Sequence, residues 1–220
     1  MLKFSSKVLS CLLFSLFLLC KTTAVENNYE KNIEMILGDY ISPKDKRYSS
    51  FKACLLLLQE RDAKTWIETG TARNGACSCS NDGCSTVILS KIATLLRAKL
   101  YSVDIDKVAI KNARQSVIKF SKYVSFSRSD SVVFLKKFSE PIDFLYLDSF
   151  DFDSSNPEPS QEHSLNEIIA AYPRLHKKSV IMINDCGLPH GGKGSLAIKY
   201  LTQQGWKIYL DGYQVILTKS

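Results

Sequence analysis

The chain has 220 residues, 45% hydrophobic and 23% charged, which is the composition of an ordinary globular protein. This length suits one domain that buries roughly 70% of its unfolded surface, so folding needs no metal or disulfide. The first 24 residues hold three of the seven net positive charges, and the rest are spread out without a recognised binding module, which argues against nucleic acid as a partner.

Residues 1–24 have the layout of a secretory signal peptide. Lys3 and Lys7 precede an uncharged run of 13 residues, Val8 to Cys20, and small residues follow it. Because a membrane span needs about 20 apolar residues, an uncleaved anchor is the second interpretation and a misassigned start the third. The leader predicts a protein that is exported or anchored, with membrane contact through this segment only. An anchor would leave the domain on the cytosolic side.

Residues 25–63 are predicted to form an N-terminal helical segment. Apolar residues recur at helical spacing from Ile33 to Leu37 and again from Tyr48 to Leu58. Ser42-Pro43 breaks the pattern between them.

From residue 64 onward, predicted strands and helices alternate. The strands are Thr65–Glu68, Leu100–Ile105, Tyr123–Ser127, Ile142–Leu147 and Ser179–Ile183, with a terminal hairpin of Trp206–Leu210 and Tyr213–Thr218. The helices are Ser85–Leu96, 106 to about 122, Ser131–Phe138, His163–Leu175 and Gly194–Gln203. This order predicts an α/β, Rossmann-like fold: a mostly parallel seven-stranded sheet with helices on both faces and a C-terminal antiparallel hairpin.

Acidic residues mark the ends of the first five predicted strands. They are Glu68, Asp104, Asp130, Asp148 and Asp185. A single acid at a solvated strand end is usually structural. Five in order are more informative, because open parallel sheets bind ligands beyond the carboxyl ends of their strands.

The segment from Glu68 to Gly75 resembles motif I of class I S-adenosylmethionine (SAM)-dependent methyltransferases, with Ala72 in place of the usual middle glycine. Val103 to Asp106 is similar to the second motif, in which an acid accepts hydrogen bonds from both ribose hydroxyls. The resemblance covers residues 64–220 and implies a SAM-dependent methyltransferase domain. The cofactor site that it implies consists of Glu68, Gly70, Thr71, Gly75, Asp104, Ile105, Asp130, Ser131 and Asp148.

A closer resemblance is to the small methyltransferases with an Asp-x-x-His-Ser segment after the fourth strand. It implies methyl transfer to an oxygen or nitrogen of a small molecule, with Asp148 or His163 as the catalytic base, although residues 149–162 separate the two here. Some relatives also hold a divalent metal, for which Asp148 and Asp185 are the candidate ligands. The alternative is a catalytically silent ligand- or protein-binding module of the cell envelope.

Two segments are not explained by this resemblance. Cys77, Cys79 and Cys84 lie beside motif I, and their spacing is compatible with a disulfide from Cys84 to either of the others, with free thiols, or with a zinc site lacking one ligand. Residues 187–194 nearly match a phosphate-binding loop, but Gly194 stands where that motif needs a hydroxyl. His190 in this loop is interpreted as a turn residue rather than a substrate contact.

Overall fold

The structure is a computed structural model that describes residues 28–77, 79–80 and 84–219. The predicted leader, residues 1–24, lies outside these ranges. Within them, no helix has the length and apolar character that crossing a membrane requires.

Helices and strands alternate through the described residues. The helices are α1 (28–38), α2 (Tyr48–Glu60), α3 (Ser85–Leu96), α4 (Lys107–Ser116), α5 (Ser131–Lys137), α6 (Glu158–Ala171) and α7 (Ser195–Gln203). The strands are β1 (Thr65–Thr69), β2 (Lys99–Asp104), β3 (Val124–Arg128), β4 (Ile142–Leu147), β5 (Leu175–Ile183), β6 (Trp206–Leu210) and β7 (Val215–Lys219). Short 3-10 helices cover Ile118–Tyr123, Tyr172–Arg174 and Pro189–Gly194.

The strands form one sheet in the order β3-β2-β1-β4-β5-β7-β6. The first five strands are parallel, and β7 runs antiparallel to both β5 and β6. This confirms the predicted fold. The direction of winding reverses between β1 and β4, so their carboxyl ends flank the crevice where such sheets bind ligands.

Helices cover both faces of the sheet because the central strands are apolar on both sides. In β4, Phe144 and Tyr146 pack with the first core cluster, while Leu145 and Leu147 pack with the second. The first cluster takes its helical residues from α1, α2 and α3, and the second from α5, α6 and α7. The N-terminal helices therefore share a core with the sheet.

Helix α6 differs from its prediction in a way that affects the site. It begins at Glu158, five residues before the predicted start at His163, and it ends at Ala171 rather than Leu175. Pro157 with its fixed backbone angle and the acidic Glu158 favour this earlier start. His163 therefore lies inside a helix, where its neighbours one turn away are fixed.

Two other boundaries were also predicted imperfectly. Helix α4 ends at Ser116, and residues 118–123 form a 3-10 helix where one continuous helix was expected. Strand β5 begins at Leu175, four residues before the predicted Ser179. Neither difference moves a predicted site residue, because both lie away from the carboxyl ends of the strands.

Candidate cofactor and active site

A cavity of about 400 Å³ opens at the carboxyl ends of the parallel strands. Its volume lies within the range of small-molecule sites, roughly 300–1,000 Å³. Most of the predicted site residues line it: Gly70, Thr71, Asp104, Ile105, Asp130, Ser131, Asp148 and His163. Residues from five separate segments thus meet at one place, as expected for the switch point of such a sheet.

The turn after β1 brings the backbone of motif I close to the end of β4. Gly70 has a φ of +77°, and its N–H donates to the carbonyl of Val103 at 2.8 Å. A Cβ atom at this position would overlap the carbonyl oxygen of Asp148. Glycine is needed here for both reasons, because a larger residue would separate the two strand ends that flank the cavity.

Glu68 lies behind the turn instead of on the cavity wall. Its carboxylate is fully buried and accepts hydrogen bonds from the hydroxyls of Ser85 at 2.5 Å, Thr86 at 2.8 Å and Ser102 at 2.7 Å. Burial raises the pKa of Glu68 to about 7, while the three donors act in the opposite direction. The contacts tie the motif I turn to α3 and β2, so the geometry gives Glu68 a supporting role where direct cofactor binding was predicted.

Gly75 also supports the turn from outside the cavity. Its φ is +58°, and a Cβ atom would overlap the hydroxyl of Ser116 at the end of α4. The same hydroxyl accepts a hydrogen bond from the N–H of Ala76 at 3.1 Å. Gly75 therefore lets the turn pack against α4, and its predicted direct contact with the cofactor has no counterpart in the cavity wall.

Two backbone N–H groups hold the carboxylate of Asp104 in place, and it can still accept further hydrogen bonds. One carboxylate oxygen accepts from the N–H of Thr71 at 3.0 Å, and the other from the N–H of Asp106 at 2.8 Å. A carboxylate has about four acceptor sites, so two remain for ligand hydroxyls. The side chain of Asp106 caps α4 as predicted, accepting from the N–H groups of Val108 and Ala109.

His163 lies on the wall of the same cavity and has a carboxylate partner. Its Nε2 atom is 3.0 Å from the hydroxyl of Ser131 and 3.5 Å from Oε1 of Glu167, one helical turn further along α6. Glu167 is buried and also accepts a hydrogen bond from Ser149 at 2.6 Å. The hydrogen bond to Glu167 raises the pKa of His163 above its ordinary value, against the opposing effect of burial.

Asp148 and Asp185 are bridged by Lys193, a residue whose role the sequence analysis missed. The Lys193 ammonium is 2.8 Å from Oδ1 of Asp148 and 3.2 Å from Oδ2 of Asp185, and its side chain is only 4% exposed. Burial disfavours its charge, but the two carboxylates outweigh burial and raise the pKa of Lys193. The two predicted metal ligands are therefore already paired with a fixed cation.

No group of three or more His, Cys, Asp and Glu side chains within the described ranges could hold a metal ion. Asp185 points to this lysine and does not line the cavity. The metal predicted at Asp148 and Asp185 thus has no support from the arrangement of the side chains.

A second ion pair that the sequence did not reveal lies on the wall of the cavity. The Arg73 guanidinium makes a two-pronged contact with the carboxylate of Asp151, at 3.0 and 2.6 Å. Both side chains are more than half exposed, so the pair contributes at most about 1 kcal/mol to stability. Its geometry nevertheless connects the motif I turn to the loop after β4.

The cysteines beside motif I adopt one of the pairings left open above. Cys79 and Cys84 form a disulfide, while Cys77 is free and exposed. The two other cysteines of the described residues, Cys54 and Cys186, could have supplied a fourth zinc ligand, but both are buried in the core. Burial raises the pKa of the Cys186 thiol to about 12, which disfavours the thiolate that zinc requires.

The exposed His190 is a turn residue. It has a φ of +59° and does not line the cavity, and its carbonyl accepts a hydrogen bond from Gln161 at 3.1 Å. It directly precedes Gly191 and Gly192, whose backbone conformations turn Lys193 toward Asp148 and Asp185.

Residues 80–186 match the family model described as a methyltransferase domain. No curated protein sequence matches the chain. A solved structure of an SAH-bound methyltransferase from Podospora anserina is 11% identical, with a TM-score of 0.57, and the match covers 100% of this chain and 98% of that one. An O-methyltransferase from Bacillus cereus in complex with SAH is 14% identical, with a TM-score of 0.53, and the match covers 86% and 90%.

NSun6 from Pyrococcus horikoshii, solved with SFG, is 16% identical with a TM-score of 0.56. The match covers 74% of this chain but only 50% of NSun6, so the chain spans about half of that protein. At these identities the structures establish the shared fold, and the family model identifies a methyltransferase domain in residues 80–186. The methyltransferase-domain match and the shared Rossmann-like fold together support a SAM-dependent methyltransferase of class I.

Proposed function

We propose that this methyltransferase transfers the methyl group of SAM to an oxygen, or a nitrogen, of a small-molecule acceptor, with His163 as the general base. The observation that carries the proposal is His163, which lines the same cavity as Gly70 and Asp104 and is paired with the buried Glu167. A base paired with a carboxylate has a clear use in a transferase whose acceptor must lose a proton.

The cofactor is proposed to lie along the part of the cavity formed by the ends of β1, β2 and β3. Gly70 and Thr71 would contact its methionine part through their backbone, and Asp104 would accept hydrogen bonds from both ribose hydroxyls. Ile105, which is 68% exposed, offers an apolar surface beside Asp104, and Asp130 and Ser131 provide polar groups for the adenine.

The acceptor is proposed to enter between the ends of β4 and α6. When bound, SAM would supply a methyl group on a positively charged sulfur; the acceptor atom would bond to that carbon in line as the carbon–sulfur bond breaks, and S-adenosylhomocysteine would leave. The residues around Asp148 and His163 contribute mainly proximity and orientation. When Nε2 of His163 carries the proton and points to Glu167, Nδ1 has the lone pair that can take a proton from the acceptor.

His163 suits the role of base better than Asp148. Oδ1 of Asp148 already accepts hydrogen bonds from Lys193 and from Asn184, both at 2.8 Å, and Oδ2 accepts one from Tyr146 at 3.3 Å. Burial raises the pKa of Asp148 although Lys193 and Asn184 act against it, but a proton on this carboxylate would break its ion pair with Lys193.

A small acceptor fits the dimensions of the site. The cavity of about 400 Å³ has to hold the cofactor as well, and the Arg73–Asp151 pair forms part of its wall. A compact phenol, alcohol or amine would reach His163 more readily than a base within a folded RNA.

The proposal is tested in two steps with the purified protein. Calorimetry should give micromolar binding of SAM and of S-adenosylhomocysteine, with no binding of NAD or ATP. Radiolabelled SAM is then supplied with pools of phenols, alcohols and amines, and separately with total RNA. Label in a small hydroxyl or amino compound supports the proposal, whereas label in RNA alone would rule out a small-molecule acceptor.

The pH dependence of kcat provides a test of His163 and Glu167 together. Only the uncharged form of His163 can act as a base, and Glu167 raises its pKa, so kcat should fall on acidification with a midpoint above 6.5. In Glu167→Gln the midpoint should move to lower pH, since the negative partner is gone. The measurement is kcat against pH at saturating SAM and acceptor.

Glu162→Gln is the matched control for Glu167→Gln. It removes the same charge from the residue next to His163 on α6, but Glu162 is exposed and does not contact the ring. Its midpoint should equal that of the wild type. Equal shifts in the two variants would indicate a general charge effect and would contradict the specific pairing.

A further inference from the structure

We propose that the Lys193 ammonium takes the place of a divalent metal between the ends of β4 and β5, so that the active site is built to work without a metal ion. The claim that the site is active without a metal rests on the proposed function. The way in which Lys193 balances the charges of Asp148 and Asp185 does not depend on which acceptor is methylated.

Two carboxylates at neighbouring strand ends require a cation. The side chains of Asp148 and Asp185 are 21% and 19% exposed, and both approach one ammonium within 3.2 Å. Like charges in a partly dry site repel each other strongly unless a positive group lies between them. In this chain Lys193 occupies that position, and at 4% exposure the lysine in turn depends on both carboxylates.

The conformation of the loop before Lys193 places the lysine side chain between the two carboxylates. Gly191 and Gly192 have φ values of +77° and +56°, and a Cβ atom at Gly192 would overlap the carbonyl oxygen of Asp185. The amide of Gln161 on α6 donates to the carbonyls of His190 at 3.1 Å and Gly192 at 2.9 Å. The loop that directs Lys193 inward is thus held by Gln161 through the carbonyls of His190 and Gly192.

Each oxygen of the two carboxylates already has at least one partner, an ammonium or another side-chain donor. Asn184 donates to Oδ1 of Asp148 at 2.8 Å and to Oδ1 of Asp185 at 3.1 Å. Tyr213 also donates to Oδ1 of Asp185, and Tyr146 donates to Oδ2 of Asp148. Oδ2 of Asp185 faces Lys193. Magnesium binds through one or two carboxylates and several waters, and here the Lys193 ammonium lies where such an ion would approach both carboxylates.

The role that follows for Lys193 is positioning. Asp148 lines the cavity, whereas Lys193 does not, so the lysine acts through the carboxylate that it holds. Replacing Lys193 should therefore allow the site to bind a metal ion. It should not remove a group that touches the acceptor.

Manganese binding is the decisive measurement, because Mn²⁺ reports on the site without any acceptor or methyl transfer. The full-length wild-type protein should show no saturable Mn²⁺ binding by water-proton relaxation at concentrations up to about 1 mM, a typical limit for weak sites. Lys193→Ala should gain a Mn²⁺ site, and its melting temperature should rise with Mn²⁺ while that of the wild type stays constant. The double variant Lys193→Ala/Asp185→Asn should lose the gained site.

Two results would overturn the inference. One is Mn²⁺ binding by the wild type that disappears in Asp185→Asn, since the carboxylates would then bind metal despite Lys193. The other is a folded Lys193→Ala protein without any Mn²⁺ site. If Lys193→Ala does not fold, Mn²⁺ binding by the wild type that disappears in Asp185→Asn would still overturn the inference. An absence of methyl transfer to every acceptor would count against the proposed function and leave the Mn²⁺ result standing.

Discussion

Replacing Asp104 by Asn is expected to weaken SAM binding by about 100-fold. The amide retains an oxygen that can accept from the N–H of Thr71, so the motif I turn should stay in place. It loses the negative charge and the paired acceptors for two ribose hydroxyls, and hydrogen bonds to charged groups contribute about 1.5–3 kcal/mol each. A loss of roughly 3 kcal/mol corresponds to two orders of magnitude in Kd. Calorimetric titration with SAM and S-adenosylhomocysteine measures the effect.

Asp106→Asn is the matched control, because it removes an equal charge two residues further on. Asp106 caps α4, and Asn is an equally good capping residue, so both fold and affinity should change little. Comparable losses of affinity in the two variants would mean that overall charge attracts the ligand, and an unchanged affinity in Asp104→Asn would place the ribose elsewhere.

His163→Gln is expected to lower kcat by a factor of about 10² to 10⁴, the usual contribution of a general base. Glutamine can still form a hydrogen bond with Ser131, so the cavity wall should persist and the Kd for SAM should remain that of the wild type. Single-turnover methyl transfer at saturating SAM separates the chemical step from cofactor binding.

His176→Gln provides the comparison for His163→Gln. His176 is also paired with a carboxylate, Asp143 at 3.0 Å, but both residues lie at the amino ends of β5 and β4, opposite the cavity. Its replacement should leave kcat unchanged. A normal kcat in His163→Gln would exclude this histidine as the base and direct attention to Asp148.

The fold could be predicted because its signals are local. Each strand is a short apolar run, each helix has its own periodicity, and their alternation leaves few arrangements other than a parallel sheet. The acids at strand ends could be located for the same reason. Once β1, β2 and β4 are parallel neighbours, the residues that follow them must meet at one edge, and Gly70, Asp104 and Asp148 do so.

The parts that escaped prediction depend on contacts between distant residues. Lys193 meets Asp148 from 45 positions further along the chain, and only the positive φ angles of the preceding glycines turn it inward. Glu68 has the sequence position of a ligand-binding acid. Its hydrogen bonds with three hydroxyls depend on how α3 and β2 pack around it, which the sequence pattern does not reveal. Glu167 is different: it follows His163 by four residues, a spacing that would have indicated the pair from the sequence.

The position of Arg47 has a consequence for how the molecule holds together. This buried side chain pairs with Asp45 and donates to the backbone carbonyls of Cys79 and Ser80, in the segment between motif I and α3. Three residues later, Ser50 donates to Gln214, whose amide in turn donates to Tyr146 beside the active site. Residues 45–50 thus connect the segment after motif I with the end of β4, so a movement of this edge of the sheet would disturb the start of α2 as well.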